Sequence, residues 1–157
     1  MGRIRLIVSL AGIAALLALL VPASALAGTY TWSMPGDFGG PGATQYGVAS
    51  WGYDIDGSPA PFSGGTYNDG ATGDSISHDS TNVNMAAAAG HLVSITWTNP
   101  TGQIASVAST IANTGNPLLC PGDVGVVPPA VAPGGTLSVT LRGLPTGCSA
   151  SGTISIT

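Results

Sequence analysis

His91-Leu-Val-Ser-Ile-Thr-Trp-Thr98, followed by Asn99-Pro-Thr-Gly102, decides how the rest of the chain is read. Val93, Ile95 and Trp97 recur at period two, and Ser94, Thr96 and Thr98 fill the alternate positions. Successive side chains of a strand point to opposite faces, so this is a strand with one apolar face, closed by the turn residues Asn-Pro and Thr-Gly. Such a face needs a second layer to cover it.

Working outward, Thr136 to Arg142 gives a second clean strand, with Leu137, Val139 and Leu141 on one face. Gly152 to Thr157 ends the chain on another. Upstream, Tyr30, Trp32 and Met34 alternate with polar residues, and Tyr46 to Tyr53 reads as a strand with Ala49, Trp51 and Tyr53 on one face. Val83 and Met85 resume the pattern. Thr66 to Asn82 carries little hydrophobic pattern and reads as an exposed loop with one short edge strand. Gln103 to Asn113 has apolar residues at helical spacing (Ile104, Val107, Ala108, Ile111), but its Ser, Thr, Val and Ile content suits a strand, and the strand reading is preferred. Seven to nine short strands with Gly- and Pro-rich turns give an all-β, single-domain antiparallel β-sandwich, immunoglobulin-like or jelly-roll.

The first 27 residues stand apart. Arg3 and Arg5 precede an apolar run from Leu6 to Val21, then Pro22 and the small residues Ala25 and Ala27. The run is shorter than the roughly 20 residues a membrane span needs. The layout is that of a secretory signal peptide cleaved before Gly28, leaving a domain over 28–157 and no membrane anchor. Without the leader, one Arg (Arg142) stands against seven Asp, a net charge of −6, with no Lys and no Glu. A chain with one base cannot neutralise phosphates, so nucleic acid is excluded as a partner. Cys120 and Cys148, an isolated pair in an exported chain, are expected to form a disulfide.

The segment from Gly135-Thr-Leu-Ser-Val-Thr-Leu-Arg-Gly-Leu-Pro-Thr-Gly147 to Ser151-Gly-Thr-Ile-Ser-Ile-Thr157 resembles the closing strand pair of bacterial immunoglobulin-like domains on secreted and cell-surface proteins. Those domains join their two last strands through a Leu-Pro-x-Gly turn; here Cys148 stands where they often carry an aromatic residue. The resemblance implies adhesion, display or structural spacing, with no inherited active site.

Three constellations bear on chemistry. Gly73-Asp74-Ser75-Ile76 is similar to the nucleophile motif of GDSL-type esterases, but those are α/β enzymes with a late Asp-x-x-His, and the only histidines here are His78 and His91. A serine nucleophile needs an oriented base, so no catalytic residue is assigned. Asp54, Asp56, Asp69 and Asp74 are candidate calcium ligands, since Asp-x-Asp-Gly supplies two carboxylates and a turn; without them no cofactor is expected. Trp51, Tyr53 and Trp32 are candidates for stacking on sugar rings. The expected role is thus a non-enzymatic structural or adhesive protein of the cell surface or extracellular space. A carbohydrate-binding module is the alternative, and a filament subunit linked by strand exchange a further one. Partners would be a glycan, a surface protein, or a second copy through an edge strand, since no Lys guards the edges.

Overall fold

Val93, Ile95 and Trp97 are at most 1% exposed, so the central strand does bury the face its alternation defines. The computed structural model describes residues 30–115, 120, 124–125, 127–144 and 146–157; the proposed signal peptide lies outside them. In chain order the strands are β1 (Trp32–Met34), β2 (Trp51–Ile55), β3 (Ser58–Pro59), β4 (Phe62–Ser63), β5 (Thr66–Asp69), β6 (Asp74–His78) and β7 (Val83–Ala87). They continue as β8 (Leu92–Thr98), β9 (Ala105–Ser109), β10 (Ala112–Asn113), β11 (Ala130–Val131), β12 (Thr136–Arg142), β13 (Cys148–Gly152) and β14 (Ile154–Ile156). Among the described residues there is no helix.

Three antiparallel sheets result, ordered β12-β8-β2-β3, β10-β13-β7-β6-β5-β4 and β1-β14-β9-β11. The second and third are one bent layer, because two neighbouring chain segments turn the same corner. At that corner Thr110 N donates to Thr153 O (2.9 Å) and Thr153 N donates to Thr110 Oγ1 (2.9 Å). Gly152 is required there: a Cβ would lie 2.6 Å from Ile111 Cα, Ile111 N and Thr110 O. The bent layer covers the first sheet. β6 and β7 lie against β8, and Trp32 of β1 meets Trp97 of β8 edge-on at 5.3 Å. Trp32, Met34, Ile76, Met85, Ile95, Leu137, Leu141, Ile154 and Ile156 fill the space between. Full burial of one such side chain contributes about 1.5–3 kcal/mol.

The all-β sandwich, the strand over 105–109 and the Cys120–Cys148 disulfide agree with the expectations above. Four details differ. The strand expected from Tyr46 begins only at Trp51, because Gln45 and Val48 exchange backbone bonds (3.1 and 3.0 Å) around Tyr46 and Gly47, both at positive φ. Two such residues make the tight turn that a right-twisted hairpin favours, and the apparent alternation there is accidental. Residues 66–82 are not a loop: β5 and β6 sit within the second sheet, with Tyr67, Asp74 and Ile76 inward.

The closing strands do not pair. β12 bonds to β8 in the first sheet and β13 to β7 in the second, so the chain changes sheets between Arg142 and Cys148. Gly143 makes this crossing possible, since a Cβ there would lie 2.0 Å from Ala88 O. Finally, the last strand is not an edge, because β14 lies between β1 and β9. The outer side of β1 is occupied as well. Ser33 N donates to Asp37 Oδ2 (2.5 Å), Asp37 N donates to Ser33 O (2.7 Å), and Thr31 O accepts from Tyr46 Oη (3.1 Å) and Gln45 Nε2 (3.2 Å). Strands β3, β4, β10 and β11, the remaining edges apart from β12, are two residues each, and short edges resist pairing as charged ones do.

Candidate functional site

The loop from Gly36 to Gln45 folds back over β2 and leaves a pocket of about 280 Å³. Its lining includes Asp37, Phe38, Thr44, Gln45, Trp51 and Tyr53. β2 supplies the aromatic wall: Trp51 is half-buried, and Tyr53 is deeper, stacked on Tyr67 at 4.1 Å. Burial raises the Tyr53 hydroxyl well above the ordinary tyrosine range, with the neighbouring Tyr67 adding to the effect. Phe38 packs on Tyr53 at 5.1 Å and on the His78 ring at 4.6 Å, which fixes the loop. The loop's glycines matter sterically at Gly39, where a Cβ would lie 2.6 Å from Ala43 Cβ.

The polar side of the pocket is Asp37, Gln45 and Trp51. Burial raises the Asp37 carboxyl above the usual carboxylate value, against the opposing pull of the Ser33 N–H and of the Trp51 and Gln45 side chains. The last two lie close enough to favour its ionised form, yet Trp51 Nε1 and Gln45 Oε1 make no hydrogen bond. The indole N–H groups of Trp32 and Trp97 are unpaired too, but those rings belong to the core.

A second cluster forms where three turns meet. Asp56 sits at positive φ in the β2–β3 turn, Asp74 opens β6, and His91 precedes β8. His91 Nδ1 is 2.6 Å from Asp56 Oδ2 and 3.3 Å from Asp74 Oδ2. Asp56 Oδ1 also accepts from Leu92 N (2.8 Å). Asp74 is fully buried; its Oδ1 accepts from Ala88 N (2.6 Å) and its Oδ2 from the Thr72 hydroxyl. The hydrogen bond to Asp56 raises the His91 pKa above its ordinary value, partly opposed by desolvation and helped by Asp74 and Asp69. The Leu92 N–H and then His91 hold Asp56 below the usual carboxylate range. His91 therefore ties the first sheet to the second.

Of the four expected calcium ligands, Asp56 and Asp74 converge, with one ligating atom each within 4.8 Å of His91's. Asp54 and Asp69 do not join them. Two carboxylates and an imidazole fall short of the six to eight oxygens calcium takes, so the residues present do not fit that ion. Of the three expected stacking residues, Trp51 and Tyr53 line the pocket and Trp32 does not. Trp32 is 1% exposed and offers no face to a ligand. Asp37, Thr44 and Gln45 also line the pocket, and no sequence pattern marks them, because a Pro/Gly loop reads as punctuation. Among the described residues no histidine is hydrogen-bonded to Ser75.

Fold and pocket together define a disulfide-bonded β-sandwich with an aromatic-walled recess at the β1–β2 connection. Comparison with protein-family models, with curated proteins and with solved structures finds no match.

Proposed function

We propose that the chain is an exported, non-enzymatic adhesive domain that holds a ligand outside the cell through the pocket formed by Gly36–Gln45 and β2. The supporting observation is the pocket itself. At about 280 Å³ it is near the lower end of the range for small-molecule sites, about 300–1,000 Å³, and like them it sets a few polar groups among aromatic walls. Assembly by strand exchange has less support, because β14 is interior and the edge of β1 is taken by its own loop. The test is retention of the purified protein on immobilised polysaccharides and immobilised matrix proteins. Saturable retention should be lost in Trp51→Ala and reduced in Asp37→Asn. Retention unchanged in both, with folding intact, rejects the pocket as the contact.

A further inference from the structure

The cluster of Asp56, Asp74 and His91 shares no residue with the pocket, and the backbone sets its orientation. Asp56 Oδ1 accepts from Leu92 N (2.8 Å), and Asp74 Oδ1 accepts from Ala88 N (2.6 Å). Each carboxylate is thereby held with its other oxygen toward the same imidazole. Asp56 Oδ2 lies 2.6 Å and Asp74 Oδ2 3.3 Å from His91 Nδ1.

One proton cannot serve both carboxylates. His91 Nδ1 carries at most one hydrogen, and the shorter contact gives it to Asp56. Asp74 is fully buried, and among the described residues neither carboxylate forms an ion pair other than with His91. Two carboxylates against one imidazole leave the cluster one negative charge in excess even with the ring protonated. An uncompensated buried charge is costly, and a divalent cation beside a neutral imidazole brings the sum to zero.

The donor atoms select the ion. Calcium and magnesium take oxygen ligands, whereas an imidazole joined to carboxylates suits zinc. Tetrahedral ligands at zinc distances stand about 3.4 Å from one another. His91 Nδ1 and Asp74 Oδ2 are already 3.3 Å apart. The contact to Asp56 has to open by about 0.8 Å to match. Both side chains have the freedom to do so, being 48% exposed for Asp56 and 31% for His91. Solvent on that side supplies a water as fourth ligand.

We propose that Asp56 Oδ2, Asp74 Oδ2 and His91 Nδ1 form a three-ligand zinc site, open to solvent at its fourth position, that clamps the first sheet to the second. The Leu92 and Ala88 N–H groups and the Thr72 hydroxyl are the outer partners that aim the carboxylates.

The experiment is calorimetric titration of the purified, chelator-treated protein, without a histidine tag, with zinc, calcium and magnesium chlorides. Zinc should bind at one ion per chain and at least about tenfold more tightly than calcium or magnesium. His91→Ala and Asp56→Asn change exposed side chains and should each weaken zinc at least about tenfold, since loss of an outer partner alone costs about 10–100-fold. Asp54→Asn, outside the cluster, should leave zinc affinity unchanged. With free zinc at about 100 times the wild-type Kd, Tm should rise by about 10 °C in wild type and by about 5 °C or less in His91→Ala. Zinc binding that survives both substitutions, calcium binding as tight as zinc, or no zinc uptake at about 1 mM overturns the proposal. Trp51→Ala should take up zinc as wild type does, so failure of the metal site and failure of the adhesive pocket are read separately.

Discussion

Replacing Cys120 and Cys148 together by Ala tests how far the fold leans on its single covalent link. The bond closes a loop with a sequence separation of 28. In the chain-entropy model, loss of such a link frees the unfolded chain by about 3.6 kcal/mol at 25 °C. For a domain of about 130 residues the unfolding entropy is about 0.27 kcal/mol/K, so Tm should fall by about 13 °C. The folded state should keep its register, because Thr114 N still donates to Ser149 O (2.8 Å) and Asn113 Nδ2 to Cys120 O (2.5 Å). The assay is thermal unfolding by circular dichroism of wild type, reduced wild type and the double variant. Reduction leaves the sulfurs in place, so it separates the cross-link from the packing of two buried side chains. If both perturbed forms melt within about 3 °C of wild type, the loop-closure reasoning is refuted. If only the alanine variant falls, the stabilisation comes from packing.

Gly152→Ala sets a Cβ against three backbone atoms at the shared corner and should destabilise by about 1–3 kcal/mol, read by urea unfolding. Gly143→Ala, with a contact of 2.0 Å to a carbonyl oxygen, should be the more severe of the two. Asp74→Ala strips the acceptor from Ala88 N and the Thr72 hydroxyl in a fully buried position; at about 1.5–3 kcal/mol for each charge-assisted bond it should be among the most damaging single changes. Because folding raises the His91 pKa, its stabilisation is complete below pH 6.5, its unfolded value, and is lost as pH rises through the higher folded value. Tm should therefore decline above pH 6.5, and His91→Gln should flatten that decline; an equal slope in the variant rules the ion pair out as its source. Asp56 acts at the other end of the scale: its lowered pKa gives stability present above 3.8 and lost as pH falls through the folded value.

The strands that carry Val, Ile, Leu and Trp at alternate positions were legible because that pattern is local: β8 and β12 bury the residues their alternation names. β5 and β6 were hidden because one of their inward positions is Asp74, and a buried carboxylate reads as surface until its donors, Ala88 N and the Thr72 hydroxyl, are known. Period two also says nothing about which sheet a strand joins. The crossing at Gly143 depends on a carbonyl 55 positions earlier, Ala88 O, far outside the reach of a local pattern. The site divides likewise. Trp51 and Tyr53 stood out as aromatics, whereas Asp37 and Gln45 reach the same recess only through the fold of the loop between β1 and β2. Asp56 and His91 are separated by 35 positions, and only the pairing of β2 with β8 sets them side by side.

The antiparallel pairing of Trp32 with Ile156 and of Met34 with Ile154 has a mechanical meaning. The chain enters β1 and leaves β14 at the same end of that ladder, so tension drawn between residues 31 and 157 loads the outermost rung first. Rungs then open one after another, each resisting alone, rather than sliding together in shear. A domain anchored and pulled through those two points would yield at low force, while one gripped at its recess and tethered at a single terminus would keep the ladder out of the line of pull.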